Sequence, residues 1–232
     1  MPSRAVLNMP ATDLLSISWV EDSDWVLTPT QTRSRKTLQK ILTSARQLFI
    51  ENSYNATTIA EISKHAGVSS GSIYNLFVDK SAIVRALYEH YRNTREGQIV
   101  ELLSGRDWAT ASPLEVVQLH LEIIFSSSRE DADFLRLIEE RRMADSDLFA
   151  IQARSENAFC EQMMTLYQLH RASFNHEDLN SAVSYVHYII RGSALWSILP
   201  THNAEQFLRV ADRRYQAETL RMACAYLGLK GY

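Results

Sequence analysis

Between Thr58 and Lys80 the chain gathers side chains that hydrogen-bond rather than cleave or transfer: Thr58, Ser69, Ser70, Ser72, Tyr74, Asn75 and Lys80, with Gly71 among them. Hydroxyls both give and accept hydrogen bonds, an amide can pair with both groups on the major-groove edge of adenine, and an ammonium holds phosphate. Such a set suits recognition of a polyanion that carries an ordered pattern of donors and acceptors. Reaction chemistry has no comparable gathering. No His-Glu-x-x-His helix or Gly-rich phosphate loop appears, and no nucleophile, base and orienting group come together, so no enzyme is expected. The seven histidines, His65, His90, His120, His170, His176, His187 and His202, include no pair spaced to share one helical face, so neither a metal nor another cofactor is expected.

The elements that must position these groups follow from local pattern. From Arg33 an apolar stripe of Leu38, Ile41, Leu42, Ala45, Leu48 and Phe49 marks an amphipathic first helix whose start carries Arg33, Arg35, Lys36 and Lys40. Thr58 and Glu61 form a capping-box pair, which starts a second helix at about Ile59. Gly67 ends it, because only glycine takes positive φ without penalty. Ser69 or Ser70 caps a third helix over 71–77, and Asp79 caps a fourth with Lys80 in its first turn. Ile59, Ile62, Ala66, Val68, Ile73 and Phe77 supply a small core, which leaves Ser70, Ser72, Tyr74 and Asn75 facing outward. Two short helices flanking a tight turn make a helix-turn-helix, whose second helix enters the major groove of DNA.

Charge supports the same assignment. The chain carries a formal −3 overall, yet residues 33–95 hold ten Lys and Arg against four Asp and Glu, whereas the segments on either side are acidic. A basic module joined to acidic ones is the footprint of a nucleic-acid reader, since phosphate contacts supply most non-specific affinity. Residues 1–32 read as a flexible acidic extension, with Trp19 and Trp25 packed against the body as the alternative.

The stretch Ile41-Leu42, Ala45, Leu48-Phe49, Tyr54, Thr57-Thr58-Ile59, Glu61-Ile62, Ala66-Gly67-Val68-Ser69, Gly71, Ile73-Tyr74, Phe77 and Lys80 resembles the N-terminal domain of the TetR family of bacterial regulators. Asn52-Ser53 stands where that family commonly has glycine, and Asn52 is expected to keep the turn by adopting the left-handed conformation. The resemblance implies an all-α homodimer with a three-helix DNA-binding domain at 33–80 and a helical ligand-binding and dimerisation domain at 81–232. It further implies phosphate contacts from Thr58, Tyr74 and Lys80 and base contacts from Ser70, Ser72 and Asn75. A repressor released from a palindromic operator by a small-molecule inducer of unknown identity is the function implied. The alternative is an activator or DNA-organising protein controlled by a protein partner.

Only 7 Gly and 5 Pro, with few alternating β-branched runs, favour long helices in the remainder as well. The fourth helix is expected to fade at Gly97 or Gly105. Later periodic segments begin after Ser112-Pro113 and near Asp131, Asp145, His176 and Asn203, about nine helices in all. The segments 178–199 and 204–227 are expected to supply one helix each, two from every subunit, to a four-helix dimer interface. Candidate pocket residues are Phe125, Phe134, Met163, Met164, Tyr167, Tyr185, Tyr188 and Trp196, with His120, Arg142 or His187 as polar anchors. Cys160 and Cys224 are too few for a disulfide framework and read as buried apolar residues. With no membrane span in the pattern, a cytoplasmic protein is expected.

Overall fold

In a computed structural model of the chain, residues 23–27, 32–199 and 212–231 are described, and the side chains of 32–34 are not. Most of the acidic extension, Trp19 and the helix start near Asn203 lie outside them. The described residues form nine α-helices: α1 (Thr32–Asn52), α2 (Ile59–Ala66), α3 (Ser70–Tyr74), α4 (Lys80–Ser104), α5 (Pro113–Glu130), α6 (Ala132–Arg142), α7 (Ser146–Leu169), α8 (Leu179–Ile198) and α9 (Arg213–Leu227). Short 3₁₀ turns at Trp108–Thr110 and Arg171–Ser173 complete the order. The fold class is all-α.

Helix ends follow their capping residues. Thr58 and Ser112 each close a reciprocal capping box, with Glu61 and Glu115, and Pro113 takes the first turn of α5, where its missing N–H costs nothing. Of the two glycines expected to end α4, Gly97 lies within it, because one glycine in a long packed helix costs only about 1 kcal/mol, and Gly105 follows its last residue, Ser104. Two expectations need correction. The third helix ends at Tyr74, with Asn75 as its C-cap, rather than at Phe77. The left-handed residue after α1 is Ser53, at φ +71°, while Asn52 remains helical. Thr57 steadies that turn, its Oγ1 donating to the Ser53 carbonyl at 2.8 Å and to the Leu48 carbonyl at 3.2 Å.

The chain divides into two compact units. The first takes in the described residues of 10–95 together with 133–153. Its core joins the α1 stripe (Leu38, Ile41, Leu42, Ala45, Phe49) to Ile62, Ile73, Phe77, Ile83, Leu87, Tyr88 and Tyr91, and to Phe134, Leu137, Ile138, Leu148 and Ile151. The helix-turn-helix therefore shares its core with α6 and the start of α7. The buried Asp145 caps α7 through the Leu148 N–H and holds Arg85 of α4 at 3.1 Å, and Arg85 also pairs with Asp147. Residues 23–27 pack onto this unit: Val26 is buried, the Leu27 N–H donates to the Leu76 carbonyl, and the Trp25 ring lies under Arg85.

The second unit takes in 96–132 and the described part of 154–232. In it α5, α8 and α9 pack together around Val116, Val117, Phe125, Met163, Tyr167, Val183, Val186, Ile190 and Leu227. Cys160 and Cys224 are both buried here, and burial pushes each thiol up to about 11.

Candidate nucleic-acid interface

Three local devices set the angle between α2 and α3. At the start of α2, the Glu61 N–H donates to Thr58 Oγ1 at 3.2 Å while the Thr58 N–H donates to Glu61 Oε2 at 2.7 Å. The Thr58 N–H, and with it the Thr58 hydroxyl that donates to the same oxygen, hold the Glu61 carboxyl below its ordinary value. At the end of α2, Gly67 sits at φ +65° and ψ +38°, and the Val68 N–H reaches back to the Ser63 carbonyl at 3.0 Å. Ser69 then caps α3 by accepting from the Ser72 N–H at 3.1 Å. Ile62, Ala66, Ile73 and Phe77 are buried, and Ile59 and Val68 pack against them half-buried, so the expected small core is present.

The expected contact residues are neighbours in space, but their availability differs. Tyr74 is 55% exposed and Asn75, the C-cap of α3, is also exposed, so both present free polar groups outward. Ser70 and Ser72 are only half-buried and their hydroxyls are already engaged, Ser70 with Ser63 Oγ at 3.2 Å and Ser72 with Ser69 Oγ at 2.9 Å. Thr58 spends its hydroxyl proton on Glu61 Oε2 at 2.8 Å. Gly71 is exposed, and a Cβ there would meet only Ser69 Oγ at 3.8 Å.

Lys80 is the largest departure from expectation. Its Nζ donates to the Tyr54 carbonyl at 2.8 Å and to the Thr57 carbonyl at 2.7 Å, and it lies 4.2 Å from the Tyr54 ring centroid. Two of its three protons thus close the loop between α1 and α2, leaving one for an anion. Burial, and the nearby Arg141 guanidinium, lower its proton affinity. Val78, 68% exposed just beyond α3, is an outward apolar side chain that the sequence reading did not select; its signal is a Val in a polar outward run. Gly67-Val68-Ser69-Ser70-Gly71 has the Gly-x-Ser-x-Gly spacing of a nucleophile elbow, but a helix rather than a strand leads into it and Ser69 Oγ is occupied as a cap.

The candidate pocket residues divide between the two units. Phe134 is core of the first unit, edge-on to Tyr91 and beneath Arg46, and Arg142 there pairs with Glu139. In the second unit Phe125 and Met163 are buried, Met164 is half-buried, and Tyr185, Tyr188 and Trp196 stand exposed on α8. What the second unit does bring together is a buried polar chain. His120 Nδ1 lies 3.3 Å from the Tyr167 hydroxyl and its Nε2 3.1 Å from His187 Nδ1. His187 Nε2 in turn meets Glu156 at 2.7 Å, and Arg191 meets the other Glu156 oxygen at 2.9 Å. One tautomer set satisfies every link: Tyr167 donates to His120, His120 to His187, and His187 to the carboxylate that Arg191 neutralises. Full burial holds His120 well below the ordinary histidine value. Among the described residues no three His, Cys, Asp or Glu side chains converge as a metal ion requires, and no helix is long and apolar enough to cross a membrane.

Comparison with known proteins agrees with this geometry. Residues 41–95 match the family described as bacterial regulatory proteins, tetR family. YvkB of Bacillus subtilis (strain 168), described as an uncharacterized HTH-type transcriptional regulator, is 35% identical over 109 residues, covering 45% of this chain and 57% of YvkB. The HTH-type transcriptional repressor BepR of Brucella suis biovar 1 is 28% identical over 131 residues, covering 56% of this chain and 51% of BepR. The chain thus spans about half the length of these relatives. In fold, the crystal structure of a putative TetR-family transcriptional regulator from Mesorhizobium loti MAFF303099 superposes with a TM-score of 0.59 at 23% identity, over 85% of this chain and 96% of the other. With their capped α2 and Gly67 turn, residues 41–95 form a domain of the tetR family of bacterial regulatory proteins.

Proposed function

We propose that the chain is a sequence-specific DNA-binding transcriptional regulator that holds a palindromic operator as a homodimer and releases it when a small molecule binds the second unit. The observation that carries this reading is the outward face of α3 and its C-cap, where Tyr74, Asn75 and Val78 stand exposed on a module fixed by caps at both ends. Asn75 pairs with adenine, Val78 packs on a thymine methyl, and Tyr74 donates to phosphate. Ser69, Ser70 and Ser72 contribute what hydrogen-bonding capacity their mutual bonds leave. Thr58, through the free N–H groups of the α2 start, and Lys80, through its third proton, hold the backbone.

Dimerisation is supported by a contiguous apolar face on the second unit. Tyr185, Tyr188, Ile189 and Trp196 of α8 and Met222 and Tyr226 of α9 are all exposed, with Trp196 at 69%, and the Tyr185 and Tyr226 rings meet at 5.1 Å. A patch of this kind marks an interaction surface, and a two-fold pair of chains carries two α3 helices, one for each half of a palindrome. BepR's description as a repressor supports repression as the sign. For the inducer, the 3.3 Å link between His120 and Tyr167 is the longest in the buried chain and is where a ligand hydroxyl or carbonyl would insert.

Selection of duplexes from a random pool by the purified chain tests the reading. A two-fold symmetric consensus is expected, bound by a species of twice the 26.5 kDa chain mass in sedimentation. An unenriched pool would refute it.

A further inference from the structure

Arg141, on α6 and outside the helix-turn-helix, differs from neighbouring cations of the first unit. Arg85 is matched by Asp145 and Asp147, and Arg142 by Glu139. Arg141 has no carboxylate partner among the described residues. Its guanidinium lies 4.2 Å from the Tyr54 ring centroid, the same distance at which Lys80 Nζ meets that ring. The two charges are therefore less than about 10 Å apart, inside one Debye length at 0.1 M salt. Lys80 registers this neighbour, since Arg141 opposes its protonation. Like charges gathered on one ring raise the energy of the free protein, and an anion lowers it.

The placement favours phosphate as that anion. Tyr54 is tied through its hydroxyl to Ser81 Oγ at 2.9 Å, which sets the ring at the first turn of the 25-residue α4. A guanidinium stacked face-on keeps its edge N–H donors free for a phosphate oxygen pair.

We infer that Arg141 holds a backbone phosphate of DNA beside Lys80, so that α6 contributes directly to the grip on the duplex. The inference rests on the DNA-binding reading above. A ring flanked by two cations, one from α4 and one from α6, then acts as the platform that presents both charges to the backbone.

Fluorescence anisotropy of the full chain on a labelled random-sequence duplex, from about 50 to about 200 mM salt, reads the number of phosphates held. Arg141→Gln is expected to make the slope of log K against log salt shallower by about 0.9 for each bound chain, equivalent to about 3.5-fold less affinity lost across that range. Arg141→Lys keeps the charge and restores the slope. Arg142→Gln removes an equal charge from a residue already paired with Glu139 and leaves the slope unchanged. A wild-type slope in Arg141→Gln overturns the inference, as does equal flattening in Arg142→Gln, which is a general charge effect, or in Arg141→Lys, which is loss of stacking. Absence of salt-dependent binding by the unaltered chain instead overturns the DNA-binding reading itself.

Discussion

Replacing Gly67 isolates the turn that orients α3 from every other interaction. At φ +65° an L side chain pays for the left-handed conformation, yet a Cβ at Gly67 would meet nothing within 4 Å. The cost of Gly67→Ala is therefore purely conformational, about 1–2 kcal/mol. Val adds β-branching and costs more, whereas Asn, which tolerates this region, costs less. The Lys64 and Ser63 carbonyls that accept from Gly67 and Val68 keep their partners in all three variants, so no unsatisfied buried group adds to the loss. Urea unfolding is the assay: the midpoint should fall in the order Asn, Ala, Val with the slope m unchanged, because the surface exposed on unfolding is unchanged. Thermal melting should fall by roughly 2–4 °C per kcal/mol for a chain of this size. Alanine within about 0.5 kcal/mol of wild type would refute the reasoning, since that result belongs to an ordinary surface substitution without positive φ.

Other consequences follow from the same geometry. Ser53→Gly should stabilise the chain by about 1 kcal/mol in urea unfolding, because Ser53 occupies φ +71° and glycine removes that penalty; a loss of stability would contradict it. Lys80→Ala should lower stability as well as DNA affinity, by about 1–3 kcal/mol, since the Tyr54 and Thr57 carbonyls lose their donor; an unchanged melting temperature would show that those bonds are absent in solution. Asn75→Ala and Val78→Ala should shift sequence preference in a duplex selection and leave stability within about 0.5 kcal/mol. His120 is held neutral in the fold, so below pH 6.5 the unfolded chain binds a proton that the folded one does not, and stability is lost as pH falls from 6.5 towards the depressed folded value. His120→Gln should flatten that dependence by up to about 1.4 kcal/mol per pH unit, and an unaltered slope would assign the proton elsewhere.

What was legible in the sequence was local. The capping box at Thr58, the Gly67 turn and Lys80 at the head of α4 are each fixed by a few consecutive residues, and the structure has all three. The extent of the first unit was not legible, because Phe134, Leu137 and Ile138 share the periodicity of any amphipathic helix and only packing assigns them to the same core as α1. The direction of small hydroxyls was equally hidden. Ser70 and Ser72 lie on the outward arc by spacing, but a short helix lets them turn to Ser63 and Ser69. Lys80 was placed correctly, yet its two carbonyl partners come from residues more than twenty positions away and leave no trace in local pattern. The pocket candidates scattered for the same reason. Aromatic type at helical spacing does not distinguish Tyr167, buried on His120, from Tyr188 and Trp196, exposed on α8.

The ratio of affinities for a selected duplex and a scrambled one of equal length, measured by anisotropy at a single salt concentration, tests the central claim that the module from Thr58 to Lys80 reads DNA sequence. The account predicts a ratio of at least about 10³, collapsing when Asn75 and Val78 are both replaced by alanine while binding to the scrambled duplex is retained. Equal affinity for both duplexes, or a ratio untouched by the double replacement, would contradict it.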